Sequence, residues 1–194
     1  MKALVLDLSG VVFVEASLIR KTLYPMLPSG APHYDTVKAA YLNLSLGKIP
    51  EDEFWRTTGG GPELKQRFLD SMHLNPQAKP LMDEARRKGI LVCALSNHVS
   101  SWVDYLSEKF SLRWDYLVVS DEAGVRKPEK EIYEIFLKRT EISAKDCLFI
   151  DDKADNLVAA RELGFNCALL EDGQRRHDFN PQVKTLTEIQ SMLI

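Results

Sequence analysis

Asp7, Ser96, Lys127 and the adjacent pair Asp151-Asp152 are the residues of this chain whose types and settings can do chemistry together. Each alone has a plain explanation. An Asp or Ser after a strand forms a turn by bonding nearby backbone amides, and a single Lys before a proline is ordinarily a solvated charge. Two adjacent acids are harder to dismiss, because like charges that close repel unless a cation or a proton relieves them. Together these residues supply a carboxylate nucleophile, a hydroxyl, an ammonium group and an acidic pair suited to Mg²⁺. A carboxylate can attack a phosphoryl group to give an aspartyl-phosphate, which water then cleaves. Carboxylate and phosphate repel each other, so a hard cation on oxygen ligands must bring them together. A lysine and a hydroxyl hold the phosphoryl oxygens and offset charge in the transition state.

The elements that must gather these groups alternate between strand and helix. The apolar run Ala3-Leu4-Val5-Leu6 ends on Asp7, with Ser9 and Gly10 just beyond, and suits a strand buried on both faces. Residues 90–95 form a second apolar run, ending in Ser96-Asn97, and 116–119 a third. Residues 147–150 run into Asp151-Asp152, and 167–170 complete the set. Between them lie helical patterns. Asn75-Pro76 caps one through Leu81, Met82 and Ala85, closed by Gly89, and a second carries Trp102, Val103 and Leu106. Pro128 opens a third, with Ile132, Ile135 and Phe136 inward, and a fourth buries Leu157, Val158 and Leu163 before Gly164. Residues 185–194 read as a closing helix. Alternation of this kind predicts an α/β fold with right-handed crossovers and a parallel sheet. Open sheets of this class bind ligands at the carboxyl edge, where Asp7, Ser96-Asn97 and Asp151-Asp152 all fall.

Residues 13–74 interrupt the alternation with short helices. One carries Val37, Ala40, Tyr41 and Leu44 on a single face, with Asp35 as its expected N-cap. Another opens at Pro50 with Glu51, Asp52 and Glu53 in its first turn and buries Phe54 and Trp55. Gly59-Gly60-Gly61-Pro62 lacks the G-K-[ST] ending of a P-loop and follows no strand, so it reads as a connector to a helix through Leu64, Phe68 and Met72. The expected division is 1–12 plus 75–194 as one unit and 13–74 as an inserted helical one.

Bulk properties narrow the class. At 194 residues the chain can bury one sizeable core, and it is 45% hydrophobic and 27% charged. A net charge of −3 gives no basic surface for nucleic acid, and no run is long enough for a membrane helix. Cys93, Cys147 and Cys167 lie in apolar runs without C-x-x-C spacing and read as reduced core residues. His33, His73, His98 and His177 show no zinc-ligand spacing. The expectation is a soluble cytoplasmic protein, with oligomeric state left open. There is no G-x-S-x-G elbow and no G-x-G-x-x-G after the first strand, which excludes two competing α/β classes.

The chain resembles the haloacid dehalogenase-like (HAD) hydrolases nearly end to end. LVLDLSGVV is similar to the first family motif, hhhDxDx[TV], with Asp7 at the nucleophile. ALSN matches the second, with Ser96 at the phosphate-binding hydroxyl and Asn97 beside it, and GVRKPEKEIY the third, with Lys127 as phosphate-binding lysine. LFIDDKADN matches the fourth, where Asp152 is the metal-binding acid and Asp151 and Asn156 support it. The 13–74 insert, with its GKIPEDEFW, resembles the small cap of the phosphatase-like branch. The resemblance implies a Rossmann-like core with Mg²⁺ held by Asp7, the Ser9 backbone carbonyl and Asp152. It also implies a small phosphorylated metabolite, such as a sugar phosphate, as substrate.

One position departs from the pattern: the usual second aspartate of the first motif is Ser9. In most phosphatases of the family that residue protonates the leaving oxygen and then activates water, a role typically worth about 10²–10⁴-fold. Glu15 is the nearest acid that can reach back, although a solvated loop acid is its plainer reading. A branch resembling this chain carries a small residue there with the rest of the site intact. Two further readings stay open: a catalytically silent phosphoryl-binding protein and, less favoured because of the acidic pair, a metal-independent 2-haloacid dehalogenase.

Overall fold

The computed structural model describes residues 1–171 and 179–193; His177 and the last residue of the expected closing helix lie outside them. Six strands form one parallel sheet: β1 (Ala3–Leu6), β2 (Leu91–Ser96), β3 (Tyr116–Val119), β4 (Cys147–Asp151), β5 (Asn166–Leu170) and the short β6 (Gln182–Val183). Their order is β3-β2-β1-β4-β5-β6, which makes the fold α/β and Rossmann-like, with β1 near the centre.

Alternation along each strand divides the core in two. Leu4, Leu6, Val92, Ala94, Leu148 and Ile150 face one hydrophobic cluster, and Ala3, Val5, Cys93, Leu95, Cys147 and Phe149 face the other. Burial on both faces is why these strands read as continuous apolar runs. Beyond β3 comes a single-turn α6 (Ser120–Ala123), and the second face is covered by α7 (Lys130–Thr140) and α8 (Ala154–Glu162) through Ile132, Tyr133, Phe136, Leu157 and Ala160. All three cysteines are free and buried, as expected.

The first face packs against α4 (Ala78–Arg87), α5 (Ser100–Lys109) and the inserted helices. Within the insert, Leu18–Leu23 is a π-helix and Tyr24–Met26 a 3₁₀ turn. Three α-helices follow: α1 (Tyr34–Leu44), α2 (Glu51–Thr58) and α3 (Pro62–Asp70). The two ends of this segment meet, since Phe13 bridges Leu74 and Asn75 N donates to Val12 O at 2.8 Å. Tyr41, Phe54, Trp55 and Phe68 close around Trp102 of α5 with ring centroids 5.2–6.0 Å away.

Several local expectations shift by a residue or more. Helix α1 begins at Tyr34 with His33 as N-cap, so Asp35 lies in the first turn, still near the positive end of the dipole. Asn75 does not cap α4; its Oδ1 accepts from Gln77 N and folds the preceding turn, and the helix starts at Ala78. Pro128 precedes α7 by two residues, and Tyr133 rather than Ile135 is fully buried on it. Val158 is 48% exposed, because Leu157 and Ala160 take the inner face of α8. The closing segment is a short α9 (Leu186–Ile189) ending in a 3₁₀ turn.

Candidate active site

Register builds the site. Leu6 pairs with Ala94 on β2 and with Ile150 on β4, so Asp7 emerges level with Asp151, one residue short of Ser96. The Asp7 amide donates to Ile150 O at 2.9 Å, which carries the ladder up to the carboxyl edge. Beyond it the chain turns sharply: Gly10 has φ +84°, and Val11 N and Phe13 N return to Leu8 O. A Cβ at Gly10 would stand 2.6 Å from Asp152 Oδ2, so this turn requires glycine for space as well as conformation.

Three donors converge on one oxygen of Asp7. Oδ1 accepts from Leu8 N at 2.7 Å and Ser96 Oγ at 2.9 Å, and Lys127 Nζ lies 3.0 Å away. Lys127 Nζ also donates to Asp151 Oδ2 at 2.7 Å and sits 5.1 Å from the centre of the Phe149 ring. Asp151 is held further by Asn156 Nδ2 at 2.9 Å and by Lys153 N at 2.8 Å. Lys127, ordinarily a surface residue type, is here sealed between two carboxylates.

Electrostatics distinguishes the three acids. Burial opposes the Asp7 charge, but Lys127, Lys153 and Ser96 hold its carboxyl below the usual range. Burial pushes Asp151 up despite Lys127, and it pushes Asp152 up to about 7. Burial also opposes the Lys127 charge, and Asp151 and Asp7 outweigh it, keeping the ammonium raised.

Asp152 Oδ1 is buried without a hydrogen-bond partner among the described residues, and Lys153 Nζ approaches it only to 3.8 Å. Oxygens of Asp7, Asp151 and Asp152 lie within 4.8 Å of one another. Among the described residues no backbone donor reaches the Ser9 carbonyl. An orphaned carboxylate oxygen beside two nearby acids forms an all-oxygen donor set that fits a hard divalent cation.

The remaining expected residues fall out as follows. The two ends of the Asn97 amide are taken by Lys127: Nδ2 donates to its carbonyl and Oδ1 accepts from its amide, both at 2.8 Å. Ser9 Oγ makes no hydrogen bond with the described residues, so nothing in the fold aims it. Glu15 does not reach back toward Asp7; its carboxylate is held by the amide of His73 at 3.2 Å and the ring at 2.8 Å. Beside Gly10 opens a cleft of about 690 Å³, lined in part by Glu15, Lys21, Glu171 and Lys184.

Two contributors escaped sequence reasoning. Tyr41 OH donates to Asn97 O at 3.3 Å, tying α1 to the loop after Ser96. Glu51 joins α2 to α5: Oε1 accepts from Trp55 Nε1 at 2.9 Å and Trp102 Nε1 at 2.5 Å, while Ser101 Oγ and Lys65 Nζ reach Oε2. The Glu51–Trp55 spacing of one helical turn was visible in the sequence; the partners on α5 and α3 were not.

Comparison with known proteins agrees with this geometry. Residues 1–164 match the haloacid dehalogenase-like hydrolase family. The sesquiterpene phosphatase astK of Aspergillus oryzae is 28% identical over 179 residues, 84% of this chain and 86% of that protein. The D-ribitol-5-phosphate phosphatase of Bacteroides thetaiotaomicron is 31% identical over 148 residues, 69% of this chain and 72% of that protein. A HAD family enzyme of the same bacterium, crystallised with magnesium and inorganic phosphate, shares the fold with a TM-score of 0.70 at 20% identity. That likeness covers 91% of this chain and 98% of the other. Among the described residues no helix is long and apolar enough to cross a membrane. With the motifs, the sheet order and the family match in agreement, the chain belongs to the haloacid dehalogenase-like hydrolases.

Proposed function

We propose that this protein is a Mg²⁺-dependent phosphatase of a small phosphomonoester, working through an aspartyl-phosphate on Asp7. The observation that carries the reading is the convergence of Leu8 N, Ser96 Oγ and Lys127 Nζ on Asp7 Oδ1. It leaves Oδ2, which accepts no hydrogen bond from the described residues, as the oxygen that attacks. Oδ2 forms the new O–P bond as the ester P–O bond breaks, and the leaving oxygen takes a proton from solvent. Water then attacks phosphorus, the acyl-phosphate P–O bond breaks, and the Asp7 carboxylate is regenerated. Ser96 and Lys127 hold phosphoryl oxygens, and Asn97 keeps Lys127 in place through its backbone. Asp7, Asp152 and the Ser9 carbonyl would hold the cation, with Asp151 in support. Bound Mg²⁺ supplies charge neutralisation between carboxylate and phosphate.

Residues 13–74 act as the cap over a core of 1–12 and 75–194. A sugar phosphate is the favoured substrate, and the relative named for ribitol-5-phosphate supports that choice. The test is phosphate release from a panel of small phosphomonoesters with Mg²⁺; absence of turnover across the panel from folded protein sinks the reading. A second reading, a silent phosphoryl-binding protein, is favoured by one fact: Ser9 is no acid, and Glu15 is committed to His73. Ser9→Asp separates the two, since a large gain in turnover supports the silent reading.

A further inference from the structure

Among the described residues three buried side-chain polar atoms lack a hydrogen-bond partner: Asp152 Oδ1, His98 Nε2 and Arg126 Nη1. A native fold leaves few such atoms, and each calls for an explanation. Asp152 Oδ1 belongs to the cation site. His98 accepts from Val99 N at Nδ1, and burial pushes its imidazole below the ordinary range. It therefore buries a neutral ring, which stands at 84° to the Trp102 indole, an arrangement in which ring edge and π-face attract. Arg126 is different, because its guanidinium is a full charge and its side chain forms neither hydrogen bond nor ion pair with the described residues. Leaving a partly buried cation unpaired is costly, and a guanidinium is best satisfied by a carboxylate or phosphate held by two parallel bonds.

Position says which ligand would meet it. Arg126 directly precedes Lys127, whose backbone is clamped by Asn97, and Tyr41 OH lands on Asn97 O. The Tyr41 hydroxyl, whose acidity is suppressed mainly by burial, feels the charges of both Arg126 and Asp7. Lys127 stands between Asp7 and Asp151 to meet the transferred phosphoryl group, and Arg126, next to it in the chain, is a second cation whose Nη1 has no partner among the described residues.

We propose that Arg126 is a specificity residue: its guanidinium binds a second anionic group, carboxylate or phosphate, on the leaving portion of the substrate. This rests on the phosphatase reading above and sharpens its substrate class.

The test compares glycerol phosphate with 3-phosphoglycerate and with a sugar bisphosphate, using the native protein, Arg126→Met and Arg126→Lys with Mg²⁺. The Arg126 side chain makes no hydrogen bond with the described residues, and its carbonyl, which accepts from Glu129 N at 2.8 Å, is kept in both variants, so the substitutions leave these bonds unchanged. The native protein is expected to prefer a doubly anionic substrate. Arg126→Met raises KM for that substrate about 10- to 100-fold, the weight of a charged hydrogen bond, with kcat nearly unchanged. Glycerol phosphate is unaffected, Arg126→Lys recovers part of the loss, and the arm that responds identifies carboxylate or phosphate. A uniform rise in KM, or none, overturns the proposal while leaving the phosphatase reading intact. If no ester turns over, calorimetry with Mg²⁺ compares pyrophosphate with orthophosphate. Loss of a pyrophosphate preference in Arg126→Met supports the proposal, and an unchanged ratio overturns it.

Discussion

Asn97 and Lys127 bind each other twice across the carboxyl edge, amide to carbonyl and amide to amide, each at 2.8 Å. The pairing joins the loop after β2 to the loop before α7, so the hydroxyl of Ser96 and the ammonium of Lys127 reach Asp7 in fixed relation. Asn97→Ala removes both bonds and strands a backbone donor and acceptor. Expected are a stability loss of about 1–3 kcal/mol and a drop in kcat/KM with Ser96 and Lys127 both still present. Denaturant melts and steady-state kinetics read the two effects, and a variant as active as the native protein contradicts this role for Asn97.

Lys127→Met leaves Asp7 and Asp151 facing each other without their shared cation. Breaking a buried ion pair from one side costs about 3–5 kcal/mol. Protonation of one acid relieves the repulsion, so the variant should be more stable at pH 5 than at pH 8. Melting temperatures at the two values decide it; a variant with the pH profile of the native protein counts against the charge balance described.

Glu51 is the acceptor for two indoles and for Ser101 and Lys65. In Glu51→Ala the buried donors lose their partner, a cost of about 1–3 kcal/mol. Glu51→Gln keeps an acceptor for the indoles and should lose less. Hydrogen exchange in α2 and α3 is expected to rise in the Ala variant ahead of exchange in β1 and β4. Uniform exchange throughout the chain would show that Glu51 does not fasten this segment.

Metal dependence should follow pH with a definite sign. Asp152 lies at about 7 in the fold against 3.8 as a free side chain, so its contribution to stability without metal is full below 3.8 and lost as pH rises toward 7. A cation needs the ionised form, so it competes with the proton. Mg²⁺ should therefore raise the melting temperature clearly at pH 8 and little at pH 5, and Asp152→Asn should abolish the rise. An equal rise at both values argues for a cation site elsewhere.

The sheet and the site groups were legible because apolar runs that end in Asp7, Ser96 and Asp151 carry their own register information. Two faces of burial leave a strand no other pattern to adopt. What stayed hidden depends on contacts distant in sequence. Glu51 looks like an ordinary first-turn acid until Trp102 is brought against it, and Asn97 looks like a loop residue until Lys127 arrives. Asp35 and Asn75 were misplaced for a local reason: both favour helix starts and turns alike, and only the packed chain chooses between them. Strand β6 has two residues and leaves no periodic trace.

The indoles at Glu51 have an optical consequence. The chain has three tryptophans. Trp55 and Trp102 lie with ring centroids 5.7 Å apart on the same carboxylate, while Trp114 donates to Ser107 Oγ, away from that junction. Any separation of α2 from α5 would carry two of the three indoles into water and redden the emission of the unlabelled protein. The molecule thus contains its own fluorescent gauge of whether its inserted helices are seated on α5.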